Sequence, residues 1–166
     1  MGQKDKEKIR GVFFEDSSKK FTIRDLNKIA KIPKSTVHKY LNELKKEGLI
    51  NKDNKAENSL IFKTRKINYF LEKIISSGLI DEIISELNPS CIILFGSISK
   101  GESVKESDID LFIESQVKKE ISLNKFEKKI GHSIQLFVEP NINHLQKNLL
   151  NNVINGVKLF GSFKIK

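Results

Sequence analysis

A glycine–serine pair, Gly96-Ser97, precedes the acids Asp108 and Asp110 by eleven residues in the run LFGSISKGESVKESDIDLFIES. An apolar run, Cys91 to Phe95, leads into the glycine, and Ile109, Leu111 and Ile113 alternate with Asp108, Asp110 and Phe112. On a strand, residues i and i+2 point to the same side, so the two carboxylates share a face. Glycine lets a ligand approach the backbone closely, and the free N–H groups at the start of a helix after it suit a phosphate. Two carboxylates on one face beside a phosphate cradle form a hard oxygen site for Mg²⁺. A cation held there can clamp a triphosphate for in-line attack. The plain alternative, a surface turn followed by a capped strand, leaves two like charges on one face with no partner.

Those residues need a sheet to hold them. Residues 91–95, bounded by Pro89 and Gly96, read as a buried strand, and residues 109–113 as a second. Residues 134–138 and 157–160 supply a third and a last strand. Helices are expected over residues 125–130 and 142–154, the latter carrying Leu145, Leu149, Leu150, Val153 and Ile154 and ending at Gly156. Alternating strands and helices make this half α/β or α+β.

The segment resembles the nucleotidyltransferase superfamily that includes DNA polymerase β and the small minimal nucleotidyltransferases. The resemblance covers about residues 90–160 and rests on an apolar strand, Gly-Ser, a short helix with a basic residue and a glycine, then Asp-x-Asp among apolar residues. It implies that Gly96, Ser97, Lys100 and Ser107 bind nucleotide, and that Asp108 and Asp110 are the metal-binding catalytic acids. It also implies a third carboxylate on the next long strand, which helps to activate the attacking hydroxyl. The matching position is Gln135, whose amide carries no negative charge and cannot act as a general base. Glu139 shares its parity but lies about 13 Å further along a strand. Glu114 is similarly remote from Asp110, and His132 has the opposite parity.

The first two-fifths of the chain differ in charge. Residues 1–66 hold 18 Lys/Arg against 9 Asp/Glu, whereas residues 67–166 hold 12 of each, so the whole net charge of +9 lies in the first part. That asymmetry points to a polyanion contact there. A helix is expected over residues 4–14. Thr22 reads as an N-cap with Asp25 as its capping-box partner, followed by Ile23, Leu26, Ile29 and Ala30 at helical spacing. Pro33 opens a third helix to about residue 46, whose buried stripe is Val37, Tyr40, Leu41 and Leu44. Gly48 stops it. A strand is expected from Leu49, a polar turn over residues 51–58, and a return strand over residues 59–63.

The run IAKIPKSTVHKYLNELKKEGLI resembles the winged helix-turn-helix modules of prokaryotic transcription regulators, over about residues 5–65. In such modules the third helix enters the major groove. The resemblance implies base contacts by Ser35, Thr36 and Lys39, with His38 and Asn42 beside them. It implies phosphate contacts by Lys52 and Lys55 in the wing.

The expected fold class is α+β: an N-terminal winged helix over residues 1–66, a helical linker over 67–89, and a small α/β nucleotidyltransferase-fold domain with a mixed sheet over 90–166. The linker's apolar face is expected to pack on the C-terminal domain, and a homodimer seam is a second role open to it. No apolar run approaches the length of a membrane span. The charged residues 1–10 are not followed by the apolar stretch of a secretory signal. The single cysteine, Cys91, cannot form an internal disulfide. The expected location is cytoplasmic, and the expected partners are double-stranded DNA and an NTP with Mg²⁺. Two functions are open. One is a DNA-binding regulator whose second domain binds Mg-NTP with weak or absent catalysis. The other is an active enzyme that transfers NMP from an NTP to an acceptor, an antitoxin-like role included.

Overall fold

The computed structural model describes residues 2–166. The chain divides into two compact units: residues up to Tyr69 together with Ser103–Lys105, and Phe70–Glu102 together with Glu106–Lys166.

In the first unit, α1 (Gly2–Glu15), α2 (Ile23–Ala30) and α3 (Lys34–Lys46) surround one core. Ile9, Phe13 and Phe14 of α1, Leu26 of α2, and Val37, Leu41 and Leu44 of α3 are buried in it. The start of α2 is a reciprocal capping box. Thr22 Oγ1 accepts the Asp25 N–H at 3.1 Å, and Asp25 Oδ2 accepts the Thr22 N–H at 2.9 Å. Lys31, with φ 56°, ends α2, and Pro33 opens α3. Gly48 takes φ 69° after α3, a conformation open to glycine without strain.

The wing is shorter than the sequence suggests. Ile50 pairs with Ala56 and Lys20 with Lys55, so the return strand is at residues 55–56 rather than 59–63. Asn51 causes this: its Oδ1 accepts the N–H groups of Asp53 and Lys55, and its carbonyl accepts that of Asn54, closing the turn within four residues. Ser59 then caps α4 (Leu60–Ser77), its Oγ accepting the Phe62 N–H at 3.2 Å. The stretch expected as a strand is therefore the first turn of a helix.

The second unit contains the remainder of α4, then α5 (Leu79–Leu87), which Gly78 at φ 86° separates from α4. Next come β1 (Cys91–Phe95), α6 (Gly96–Ser99), β2 (Ile109–Glu114), α7 (Asn124–Ile130), β3 (Ile134–Glu139), α8 (Lys147–Ile154) and β4 (Val157–Gly161). The sheet order is β3-β2-β1-β4. β1 is antiparallel to both neighbours, and β2 and β3 are parallel, so the sheet is mixed as expected. α7 lies in the crossover that a parallel pair requires. All five residues of β1 are buried. The helix expected over residues 142–154 is broken into a single 3-10 turn, Ile142–His144, and α8. Asn141 Oδ1 takes the Asn143 N–H and Glu114 takes that of Ile142, which anchors the turn separately.

Lys66 is fully buried in the first unit. Its Nζ donates to Ser17 Oγ at 3.0 Å and to the Ser103 carbonyl. Burial pushes its ammonium down to about 8, against the opposing pull of Glu15 and Asp16. A lysine pKa below its unfolded value means that the unfolded chain binds more protons above pH 8, so this group's contribution to stability rises with pH from there towards 10.5. The stability of the wild type relative to Lys66→Met should therefore increase between pH 8 and pH 10, measured by urea melts at each pH. A constant difference across that range would show that Lys66 does not titrate as its burial requires.

Candidate functional site

β2 and its flanks form the site. Asp110 is the second residue of β2, and Asp108 precedes the strand by one residue rather than lying within it. Phe95, the last residue of β1, is opposite Asp110, so the turn into α6 falls beside that carboxylate. Gly96 takes φ 75° there, and a Cβ on it would lie 2.1 Å from Asp110 Oδ2. Any side chain at position 96 would be strained and would also displace the carboxylate. Burial, and then the charge of Asp108, hold the Asp110 carboxyl above the usual carboxylate range.

β3 brings Gln135 into direct register with Asp110. Its side-chain amide, Nε2, donates to Asp108 Oδ2 at 2.6 Å. Position 135 thus stands beside both acids, as the expected third-carboxylate position must. Glu139 is instead in register with Glu114, at the far end of the strands. Glu114 accepts from Ser90 Oγ at 2.7 Å and from the Ile142 N–H at 2.7 Å, and so braces the opposite end of the sheet.

Among the other expected nucleotide residues, the Ser97 carbonyl accepts the N–H groups of Lys100 and Glu102 and closes the loop after α6. Lys100 is exposed at the C-terminal end of α6. The Ser107 carbonyl receives His132 Nδ1 at 2.7 Å. Sequence parity alone gave His132 no place in the site. Its position just before β3, next to the residue that pairs with the start of β2, is the signal that would have found it.

The donor set fits one hard divalent cation. Asp108 and Asp110 are oxygen donors with repelling charges, which a cation relieves. Among the described residues, no group of three or more His, Cys, Asp and Glu lies close enough to hold a metal. Two carboxylates and a neutral amide are what the chain offers.

On the first unit, Ser35, His38, Lys39 and Asn42 of α3 are exposed and Thr36 is half-buried. Their core-facing neighbours Val37, Tyr40 and Leu41 orient that face outward. Lys52 and Lys55 of the wing are exposed. A groove of about 670 Å³ lies between the end of α3 and the wing, lined by Lys45, Ile50, Asn51, Lys52, Glu57 and others. Lys45, not singled out from the sequence, adds a second lysine to it.

Comparison with known proteins divides the chain in the same way. Residues 76–147 match the family model of a nucleotidyltransferase domain. Residues 19–64 match that of the MCM protein C-terminal winged helix-turn-helix domain. No curated protein and no solved structure matches the chain. A winged helix therefore precedes a nucleotidyltransferase domain, the fusion expected from the sequence. Nucleotidyltransferase domains generally use divalent metal ions. No helix among the described residues is long and apolar enough to cross a membrane.

An aspartate whose folded pKa is raised destabilises the fold at neutral pH, and the penalty fades as pH falls through that pKa. Asp110→Asn should therefore melt above the wild type at pH 7 without divalent cation, and the gap should narrow towards pH 4. Adding Mg²⁺ with an NTP should stabilise the wild type, by about 2.7 kcal/mol at a hundredfold excess over Kd. The variant should gain nothing. Scanning fluorimetry with and without Mg²⁺ and each NTP reads both effects, and equal gains in the two proteins would make Asp110 structural.

Proposed function

With a winged helix and a nucleotidyltransferase domain in one chain, we propose a DNA-binding transcriptional regulator whose second unit binds Mg-NTP and turns it over weakly or not at all. The observation that carries this reading is Gln135. It is in register with Asp110 and bonded to Asp108, so a neutral amide occupies the place of the third acid. Asp108 and Asp110 would hold Mg²⁺, which supplies charge neutralisation to the triphosphate when bound. Gly96 leaves the backbone open beside them, and Ser97, Lys100 and Ser107 complete the nucleotide side. The amide of Gln135 donates a hydrogen bond to Asp108 and cannot take a proton from an acceptor hydroxyl. The first unit would place Ser35, Thr36, His38, Lys39 and Asn42 towards the bases of double-stranded DNA, with Lys52 and Lys55 towards phosphate. Its excess charge and the outward face of α3 support this. The boundaries 1–66, 67–89 and 90–166 serve as the working division of these tasks.

A second reading, an active enzyme transferring NMP from an NTP to an acceptor, is favoured by one observation. Burial and the neighbouring Asp108 raise the Asp110 carboxyl, a perturbation of the kind found at catalytic sites.

Two outcomes test the proposal. Duplex binding by the full chain should weaken in Lys39→Ala, and in Lys52→Ala, which removes a phosphate contact, the slope of log affinity against log salt should fall by about 1. Gel shifts at several salt concentrations measure both, and an unchanged affinity in Lys39→Ala would remove α3 from the interface. On the other unit, Gln135→Asp should raise pyrophosphate release from an NTP. General-base help is typically worth about 10²–10⁴-fold, and the variant should regain part of it. It should also melt lower than the wild type without Mg²⁺ and gain more from it, because a third carboxylate adds repulsion. Wild-type turnover that equals or exceeds the variant's would establish the enzyme reading instead.

A further inference from the structure

We infer that His132 is a positioning residue for the cation site: through the Ser107 carbonyl it fixes where the Asp108 carboxylate stands. The inference rests on the reading of Asp108 and Asp110 as cation ligands.

His132 is 6% exposed and lies between α7 and β3, directly after Gly131. Its ring meets Phe70 edge to face, with centroids 5.2 Å apart and planes at 82°. That contact sets the plane of the imidazole and leaves Nδ1 2.7 Å from the Ser107 carbonyl oxygen. A carbonyl only accepts, so Nδ1 carries the proton, in the neutral ring and in the cation alike. The Ser107 carbonyl belongs to the same peptide plane as the Asp108 nitrogen, and its direction sets the backbone angle from which the Asp108 side chain departs.

A second bond acts on the other side of Asp108. The Ile109 N–H donates to the Ser133 carbonyl at 2.8 Å, so consecutive residues 132 and 133 hold the chain on both sides of that aspartate. One bond comes from a side chain and one from the backbone. Gln135 then holds the carboxylate itself. Asp108 precedes β2 and lacks the ladder that fixes Asp110 between β1 and β3. The imidazole supplies the constraint that the strand does not. Hydrogen bonds one step behind a ligand orient it, and their loss typically costs about 10–100-fold in metal affinity.

The test compares two variants of similar polarity. In His132→Asn the amide nitrogen falls near the place of Nδ1, whereas in His132→Gln it falls near the place of Nε2; both lose the ring against Phe70. Mg²⁺-dependent binding of fluorescent mant-ATP and mant-GTP is measured by anisotropy for the wild type, both variants and Asp108→Asn. Melting temperatures are recorded in parallel. Positioning predicts that His132→Asn binds within about threefold of the wild type and that His132→Gln binds about tenfold more weakly, at similar melting temperatures. Equal affinities for the two variants, whether retained or lost together, would overturn the role of the Nδ1 donor. Binding by Asp108→Asn as tight as the wild type's would overturn the ligand reading beneath it. So would a wild type that shows no Mg²⁺-dependent binding.

Discussion

The Asp110 carboxylate lies in the space that a side chain at position 96 would need, and the candidate site of the second unit depends on that arrangement. A Cβ at position 96 would fall 2.1 Å from Asp110 Oδ2, and φ 75° would strain any residue that carried one. The turn out of β1 favours glycine, and it follows directly on Phe95, which is opposite Asp110. A wholly buried β1 makes that placement firm. Burial between the strands, and then the charge of Asp108, raise the pKa of Asp110.

One face of the sheet serves two purposes along its length. Alternate residues of β2 and its leading edge read Asp108, Asp110, Phe112, Glu114. The first two are acids beside the open turn. Phe112 is buried with Cys91, Ile93 and Phe95 beneath Ile142 and Val153, and Phe137 packs on the edge of that cluster. Phe95 and Phe137 meet edge to face at 5.2 Å, forming an apolar floor next to the acids. Glu114 has the same parity as the site acids and none of their freedom, since Ser90 and Ile142 occupy its oxygens. Distance along a strand separates an acid that can act from one that braces a turn.

Much of this was legible in the sequence where one residue dictates local geometry. Thr22 with Asp25, the stripe Val37-Tyr40-Leu41-Leu44, Gly48 and the open turn at Gly96 each state a conformation through their own chemistry. Gln135 was singled out by the resemblance to the nucleotidyltransferases, and the register of β3 on β2 sets it opposite Asp110. Misreadings arose where a polar side chain competes with the backbone. Asn51 tightened the wing and Ser59 turned an expected strand into a helix start. Asn141 and Glu114 divided an expected helix. His132 escaped because its bond runs to a backbone carbonyl 25 residues away, and no periodicity records such a partner.

The sheet order sets unequal terms for its acids. β2 is an interior strand, flanked by β1 and β3, whereas β3 is a rim strand with neighbours on one side only. Gln135 is exposed on that rim, and Asp110 is half-buried between two strands and a glycine. Position 135 meets Asp108 from the open edge of the sheet, while position 110 is enclosed by β1, β3 and the turn at Gly96. An acid in the interior is held by the strands on both sides of it, whereas a residue at the margin is held from one side alone.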